Sequence, residues 1–322
     1  MRFIYSFTTT TIIFFGLTYG LIMTVDPYNK LGNNPFGFET KAVDFARVNK
    51  FNQVEHSKKN YTAFIMGSSS AHRYLTRELN RLTGLTSYNY STQSATPEDF
   101  LAMTRHILKK YRPKLFILSF DFEGLNKNVK TDDMFYASPL KNYLKEIPND
   151  DIKTDLFNNS YLTLEALGDS LKVIWVNLLG KANHAYLDDG DHKIEALSKT
   201  IKIDQFSGGP YEIDQTRISY LKELKSICNK HDIKVIALTS PLSIEHLRRL
   251  ESDPGLKKNL QDFKNSLLDI FGEIWDFENE TIGPYNDVKF FRNSNHATHD
   301  FSTLILERIF GKAEGPGILL KK

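Results

Sequence analysis

Two stretches far apart in the chain carry side chains that could do chemistry together. Gly67-Ser68-Ser69-Ser70-Ala71-His72 places three serines in a turn of small residues, and Asn293-Ser294-Asn295-His296-Ala297-Thr298-His299-Asp300 brings two histidines near the end. A serine hydroxyl is a weak nucleophile near neutral pH, so acyl transfer needs an imidazole within hydrogen-bond reach and N–H donors aimed at the tetrahedral oxygen. Ser69 is the candidate nucleophile and His296 the candidate base, with His299 the lesser candidate. Ser68 and the N–H groups that open the following helix are where a developing oxyanion would be held. Two further loops offer substrate-contacting groups: Asn89 to Pro97, through Ser94, and Asp121-Phe122-Glu123-Gly124-Leu125-Asn126, through Asp121 and Asn126. Each signal alone also has a plain reading, as a turn and helix cap or as a structural histidine. Their joint placement is what points to chemistry.

For these loops to meet, the elements between them must deliver them to one rim. Thr62 to Met66 is a short apolar run that stops at Gly67 and reads as a buried strand, and Leu75, Leu79 and Leu82 follow at helical spacing. Ser87 to Tyr90 reads as a second strand, Pro97 to Tyr111 as a helix with an acidic first turn and a basic end, and Leu115 to Phe120 as a third strand. A helix ends across Lys222 to Lys230. Ile233 to Thr239 is a strand closed by Ser240-Pro241, Leu260 to Phe271 is helical, Glu273 to Phe277 is a fifth strand, and Phe301 to Phe310 is the last helix. This alternation predicts an α/β fold: a three-layer sandwich around a five-stranded parallel sheet in flavodoxin-like order 2-1-3-4-5. In such sheets ligands bind beyond the carboxyl ends of the strands, which is where the serine turn emerges.

Phe3 to Val25 contains no charged residue and as a helix would span about 34 Å, enough to cross a bilayer. Arg2 precedes it and Asp26 follows it, which orients the N-terminus to the cytoplasm and the rest outside. The alternative, a cleaved signal peptide, fits less well: the apolar region is long and Thr18-Tyr19-Gly20 is a poor cleavage match. The expected plan is an anchor at 1–26, a polar juxtamembrane stalk at 27–60, an α/β domain at 61–312 and a tail at 313–322. An insertion at about 126–205 reads as a lid or partner-facing element, with a helix near Leu162 to Leu179. Its Asp188-Asp189-Gly190-Asp191 run lacks the spacing of an EF-hand and reads as a solvated turn. His184 and His192 flank that run without a metal-ligand spacing, so neither metal nor cofactor is expected. His72 reads as a surface side chain, and Arg248-Arg249 and Lys257-Lys258 as solvated helix faces. With 41% hydrophobic and 25% charged residues the chain can build a core, and a net charge of +2 without a basic block argues against nucleic acid as a partner. The lone Cys228 excludes an internal disulfide framework.

Phe64-Ile65-Met66-Gly67-Ser68-Ser69-Ser70 resembles the first block of SGNH/GDSL hydrolases, in which the second residue after the glycine is the nucleophile. Their last block is Asp-x-x-His before a terminal helix, and Asn293-Ser294-Asn295-His296 followed by Leu304 to Gly311 is similar in spacing and sequel. The membrane helix followed by Asp26-Pro27-Tyr28 resembles the anchored bacterial branch, including DltD-like and AlgJ/AlgX-like proteins. This resemblance implies Ser69 and His296 as a catalytic pair, with Asn293 in the place of the family's aspartate. It implies an envelope glycan or teichoic-acid-like polymer as substrate and an MBOAT-type membrane acyltransferase as partner.

Three departures matter. Asn293 can orient an imidazole but cannot stabilise imidazolium by charge. The second-block glycine maps near Ser94, and the third-block asparagine near Asp121, whose charge would oppose an oxyanion. Asp121 or Asp300 could instead serve as the partner of the imidazole. Two functions follow: a serine esterase or O-acyltransferase, and a non-catalytic envelope protein that keeps the fold and binds polymer or a membrane partner.

Overall fold

The computed structural model describes residues 1–27, 35–36, 38, 46–131, 135–136, 138–145, 163–180, 187, 189–191 and 210–322. Much of the expected stalk and insertion, including Tyr28, His184, Asp188 and His192, lies outside the described residues. In chain order the principal elements are α1 (Arg2–Val25), α2 (Ala46–His56), β1 (Ala63–Gly67), α3 (Thr76–Thr83), β2 (Ser87–Asn89), α4 (Pro97–Lys110), β3 (Leu115–Phe120), α5 (Leu164–Leu178), α6 (Gln215–Lys230), β4 (Lys234–Thr239), α7 (Ile244–Ser252), α8 (Pro254–Phe271), β5 (Glu273–Asp276), β6 (Phe291–Asn293), β7 (His296–Ala297), α9 (His299–Ile309) and β8 (Ile318–Lys321). They fall into two compact units, 1–57 with 146–186, and 58–145 with 187–322.

The second unit is an α/β fold around a mostly parallel sheet ordered β2-β1-β3-β4-β5-β8. β1 and β3 are buried along their whole length, as expected of parallel strands covered on both faces, and they pair in register from Ala63↔Leu115 to Gly67↔Ser119. Alternate side chains point to opposite faces. Ala63, Ile65, Leu115, Ile117, Ile236 and Leu238 share one core with Leu79 of α3 and with Phe301, Ile305 and Leu306 of α9. Phe120 meets Phe100 of α4 and Phe271 of α8, with ring centroids 4.9 and 5.5 Å apart.

The sheet has six strands rather than the five expected. Residues 313–322, expected to trail as a tail, supply β8, which pairs antiparallel with β5 from Glu273↔Lys321 to Asp276↔Ile318. Gly317 makes the turn into it at φ 89, where a Cβ would lie 2.3 Å from the Phe277 ring. Gly315-Pro316-Gly317 followed by Ile318-Leu319-Leu320 is the signal that could have revealed this strand.

The acidic run is not a solvated turn. Leu75, at the N-cap of α3, has no side chain able to cap, so the helix takes its cap from across the fold. Both carboxylate oxygens of the buried Asp191 accept the Thr76 N–H at 2.9 Å, and Asp189 Oδ2 accepts from Thr76 Oγ1 at 2.8 Å. The Asp189 carbonyl accepts the Asn89 N–H at 2.9 Å, and Gly190, at φ 80, sits where a Cβ would come within 2.1 Å of the Asn89 carbonyl oxygen. Asp191→Ala therefore removes a helix cap and leaves buried donors unmet. A loss of about 1–2 kcal/mol is expected, read as a fall in Tm of about 2–8 °C. A variant that melts with the parent would show that the loop contributes nothing to α3.

In the first unit, α1 is uncharged from Phe3 onward, and among the described residues it is the one helix long and apolar enough to cross a membrane. The residues at its end, Ile22 and Val25, are buried together with Ala166 and Val173 of α5. α5 begins at Thr163, whose side chain caps it by accepting the Ala166 N–H at 3.0 Å.

Candidate active site

β1 ends at Gly67 because nothing larger fits there: a Cβ would lie 2.5 Å from that of Ala71 and 3.0 Å from the Ser119 carbonyl oxygen. The chain then enters a tight helical turn, Ser69–Arg73, capped by Ser68, whose Oγ accepts the Ser70 N–H at 3.2 Å. Ser68 is thereby buried and its hydroxyl is used in holding the turn. Ser69, next along, is half-buried. From the loop after β2, Thr92 N–H reaches the Gly67 carbonyl at 3.0 Å, and the buried Asn89 amide, at the end of β2, donates to the carbonyls of Ala71 (3.1 Å) and Tyr74 (2.8 Å). Asn89 thus holds the serine turn from behind. Sequence reasoning missed that task, although an amide at a strand end before a long polar loop was a signal for it.

The histidine arrives on a small hairpin. β6 and β7 pair Asn293 with His296 across a two-residue turn, so the two side chains are neighbours by construction. His296 Nε2 lies 2.8 Å from Ser69 Oγ, and His296 Nδ1 lies 2.8 Å from Asn293 Oδ1. With its proton on Nδ1, the ring donates to the asparagine oxygen and accepts from the serine hydroxyl at Nε2, the tautomer that a general base requires. Three contacts bind the two loops together. Beside the Ser69–His296 bond, Ser70 Oγ donates to the Asn295 carbonyl at 3.1 Å, and His299 Nδ1 meets the Arg73 carbonyl at 2.9 Å. The hairpin is also tied to α7, through Ser243 N–H to the Ser294 carbonyl at 2.8 Å and His246 Nδ1 to Ser294 Oγ at 3.0 Å.

The other predicted groups are distributed unevenly. His299 is spent on a backbone carbonyl and does not reach Ser69. Asp300 is exposed, and the partner of the His296 ring at Nδ1 is Asn293. Ser94 is exposed at φ 48, a left-handed conformation that favours glycine. Asp121 is half-buried at the end of β3, with Oδ1 buried and without a hydrogen-bond partner. Asn126 is fully buried, and its side-chain oxygen accepts the N–H groups of Asn128 and Glu212 at 3.2 and 3.1 Å, which assigns it to the frame of the fold. His72, expected at the surface, is 4% exposed because the turn that carries it is packed against β1 and β7. Arg248, Lys257 and Lys258 are exposed as expected, Arg248 within 3.1 Å of Glu280.

Burial sets the electrostatics around this rim. Away from the rim, just before β4 begins, the Cys228 thiol is pushed up to about 12 by burial, which makes it a poor nucleophile. Arg73 is lowered to about 10 by burial and by the Arg292 guanidinium. Glu278, just past β5, is 1% exposed with neither carboxyl oxygen hydrogen-bonded, and burial drives its pKa well above the carboxylate range. Lys264 opposes that rise, while Asp276 and Asp121 add to it; Lys264 itself pairs with Asp276 at 3.0 Å. The folded protein therefore keeps a proton that the unfolded chain releases. Stability from this group is fully present below the unfolded value near about 4.3 and is lost as pH rises toward the folded value. Glu278→Gln is expected to flatten that slope, so that its Tm falls less than the parent's between about pH 5 and pH 8. Parallel slopes would mean that Glu278 is ionised in the fold.

Among the described residues no group of three or more His, Cys, Asp or Glu is arranged to hold a metal ion. No family model matches this chain, and no curated protein matches it.

Proposed function

We propose that this chain is a membrane-anchored, extracytoplasmic serine esterase or O-acyltransferase of the SGNH/GDSL type, built on a flavodoxin-like sandwich and acting on a cell-envelope glycan or teichoic-acid-like polymer. The observation that carries the reading is the continuous chain from Ser69 Oγ through His296 to Asn293, 2.8 Å at each link. Supporting it, β2, β1, β3, β4 and β5 are parallel neighbours in that order within the six-stranded sheet, with the serine turn leaving the carboxyl end of β1. Ser94 also adopts a glycine-favouring backbone near where the second-block glycine maps. The length and apolarity of α1 support the anchor, with the N-terminus in the cytoplasm and the α/β unit outside.

In this reading His296 Nε2 takes the Ser69 proton as Oγ attacks an ester carbonyl. The tetrahedral oxyanion forms at the start of the Ser69–Arg73 turn, where backbone N–H groups of the turn would hold it. Collapse breaks the carbonyl–alkoxide bond, His296 returns the proton to the leaving oxygen, and the acyl group stays on Ser69. An acceptor hydroxyl of the polymer, or water, then gives its proton to His296 and attacks the acyl-serine, restoring the free enzyme. Anchoring confines this chemistry to the membrane surface, where an MBOAT-type acyltransferase would deliver the acyl group.

A second reading is a catalytically inactive SGNH-fold protein that binds polysaccharide or a membrane partner. Two observations favour it: Asn293 is an amide where the family has a carboxylate, and Asp121 is a carboxyl residue where it has an amide donor. Treatment of the purified full-length protein with a fluorophosphonate probe separates them. The enzyme reading expects a covalent adduct mapped by peptide mass to Ser69. A folded protein that stays unlabelled at Ser69 would favour the binder.

A further inference from the structure

We infer that α5 is a second membrane-contacting element, an interfacial helix seated in the leaflet at the outer end of α1; this rests on the reading of α1 as a membrane anchor. Two independent observations lead there. The first is length. α1 is 24 residues long, and a hydrocarbon core of about 30 Å takes about 20 residues at roughly 1.5 Å per residue. Counted from Phe3, the first residue past the Arg2 charge, such a span ends near Ile22. Yet the large side chains that α1 exposes lie between Phe3 and Leu17, a stretch of only about 22 Å, and Ile22 is 1% exposed beneath α5. On the side of α1 that carries Ile22, acyl chains would therefore meet α5.

The second observation is the surface that α5 presents there. Ala166, Ser170 and Val173 are buried, with Ala166 and Val173 packed on the end of α1 and Leu167 and Ile174 beside them. Next to that face, Leu164, Leu171, Trp175 and Leu178 are exposed by 88, 53, 64 and 72%, and all four fall within an arc of about 60° at roughly 100° per residue. Lys172, also exposed, falls outside this stripe, about 60° beyond its edge at roughly 100° per residue. The helix thus has one face for α1, an adjoining apolar stripe and a polar remainder. Those are the three environments met at the boundary between acyl chains, a protein helix and water. A tryptophan on the apolar stripe suits the interfacial zone. α5 packs on the end of the helix read as the anchor and exposes this stripe beside that contact, so the occupant we infer is the bilayer itself.

The test uses the full-length protein in vesicles of phospholipid alone, with bromines at a shallow or a deep acyl position. The chain has two tryptophans, Trp175 and Trp275. Trp275→Phe, which leaves Trp175 as the reporter, should lose most of its emission to brominated lipid, with a blue-shifted maximum. Trp175→Phe should be quenched little. Protease protection of the N-terminal segment is scored in the same vesicles. If α1 inserts and Trp175 remains unquenched, the inference fails while the anchor reading stands, and the stripe then faces a protein partner, a second copy or the rest of this chain. If α1 does not insert, both fall. A Leu171→Ser, Leu178→Ser pair added to the Trp275→Phe variant provides a second check: it should reduce the quenching of Trp175 by brominated lipid, and unchanged quenching would also count against contact of the stripe with acyl chains.

Discussion

Ser69→Ala is expected to lower turnover of a chromogenic acetyl ester by about 10³-fold or more, and His296→Ala by a similar factor. The double variant should be no slower than the worse of the two, because the two residues act as one proton-transfer unit and either loss disables it. The geometry supplies the warrant: Nε2 is 2.8 Å from Oγ, and each side chain is half-buried, so neither substitution opens a core cavity. Tm should accordingly stay within about 2 °C of the parent, which separates lost chemistry from lost fold. Additive effects would mean that the pair works as two independent groups. Parental turnover in both variants would remove Ser69 and His296 from any catalytic role.

The next largest effect is expected as a gain. Asn293→Asp restores a carboxylate opposite His296 Nδ1, at a position where the hydrogen bond is already 2.8 Å long. An amide oxygen can orient the ring but offers no charge to the imidazolium that forms as Ser69 is deprotonated. An amide can also turn its NH₂ toward Nδ1, which selects the wrong tautomer. A carboxylate can only accept. Turnover should rise by about 10²-fold or more if the first proton transfer limits the rate, since the reverse change in a serine triad costs about 10⁴-fold. Because the new charge favours imidazolium, the acid limb of the pH–rate profile should also move to higher pH. A variant with unchanged rate and an unmoved profile would show that Asn293 is not the group that orients the base.

These two predictions use residues whose meeting was legible in the sequence only as topology. A serine after the first strand and a histidine past the fifth must both emerge at the carboxyl rim if the strands run parallel, and the apolar runs at Thr62 to Met66, Leu115 to Phe120 and Ile233 to Thr239 were strong enough to establish that. The partner of the ring was less legible. Asn293, Asp121 and Asp300 were all within plausible reach, and the choice fell to the β6–β7 hairpin, which pairs position 293 with 296 and leaves Asp300 exposed. Asn126 was lost for a related reason: its loop suggested substrate contact, but its oxygen is used by Asn128 and Glu212, the latter 86 positions away in sequence.

Local patterning by itself determined the α/β class, the position of nearly every long element and the uncharged helix at the N-terminus, because burial on a strand or helix imprints its own period on the residues that make it. Only the tertiary structure decided that the final residues close the sheet as an antiparallel sixth strand, that Asp191 crosses the fold to cap α3, and that Asn89 holds the serine turn from behind. Each of these depends on a polar or edge contact between segments far apart in sequence. Such contacts are single hydrogen bonds with no repeat, so they leave no periodic trace for a reading of one chain to find.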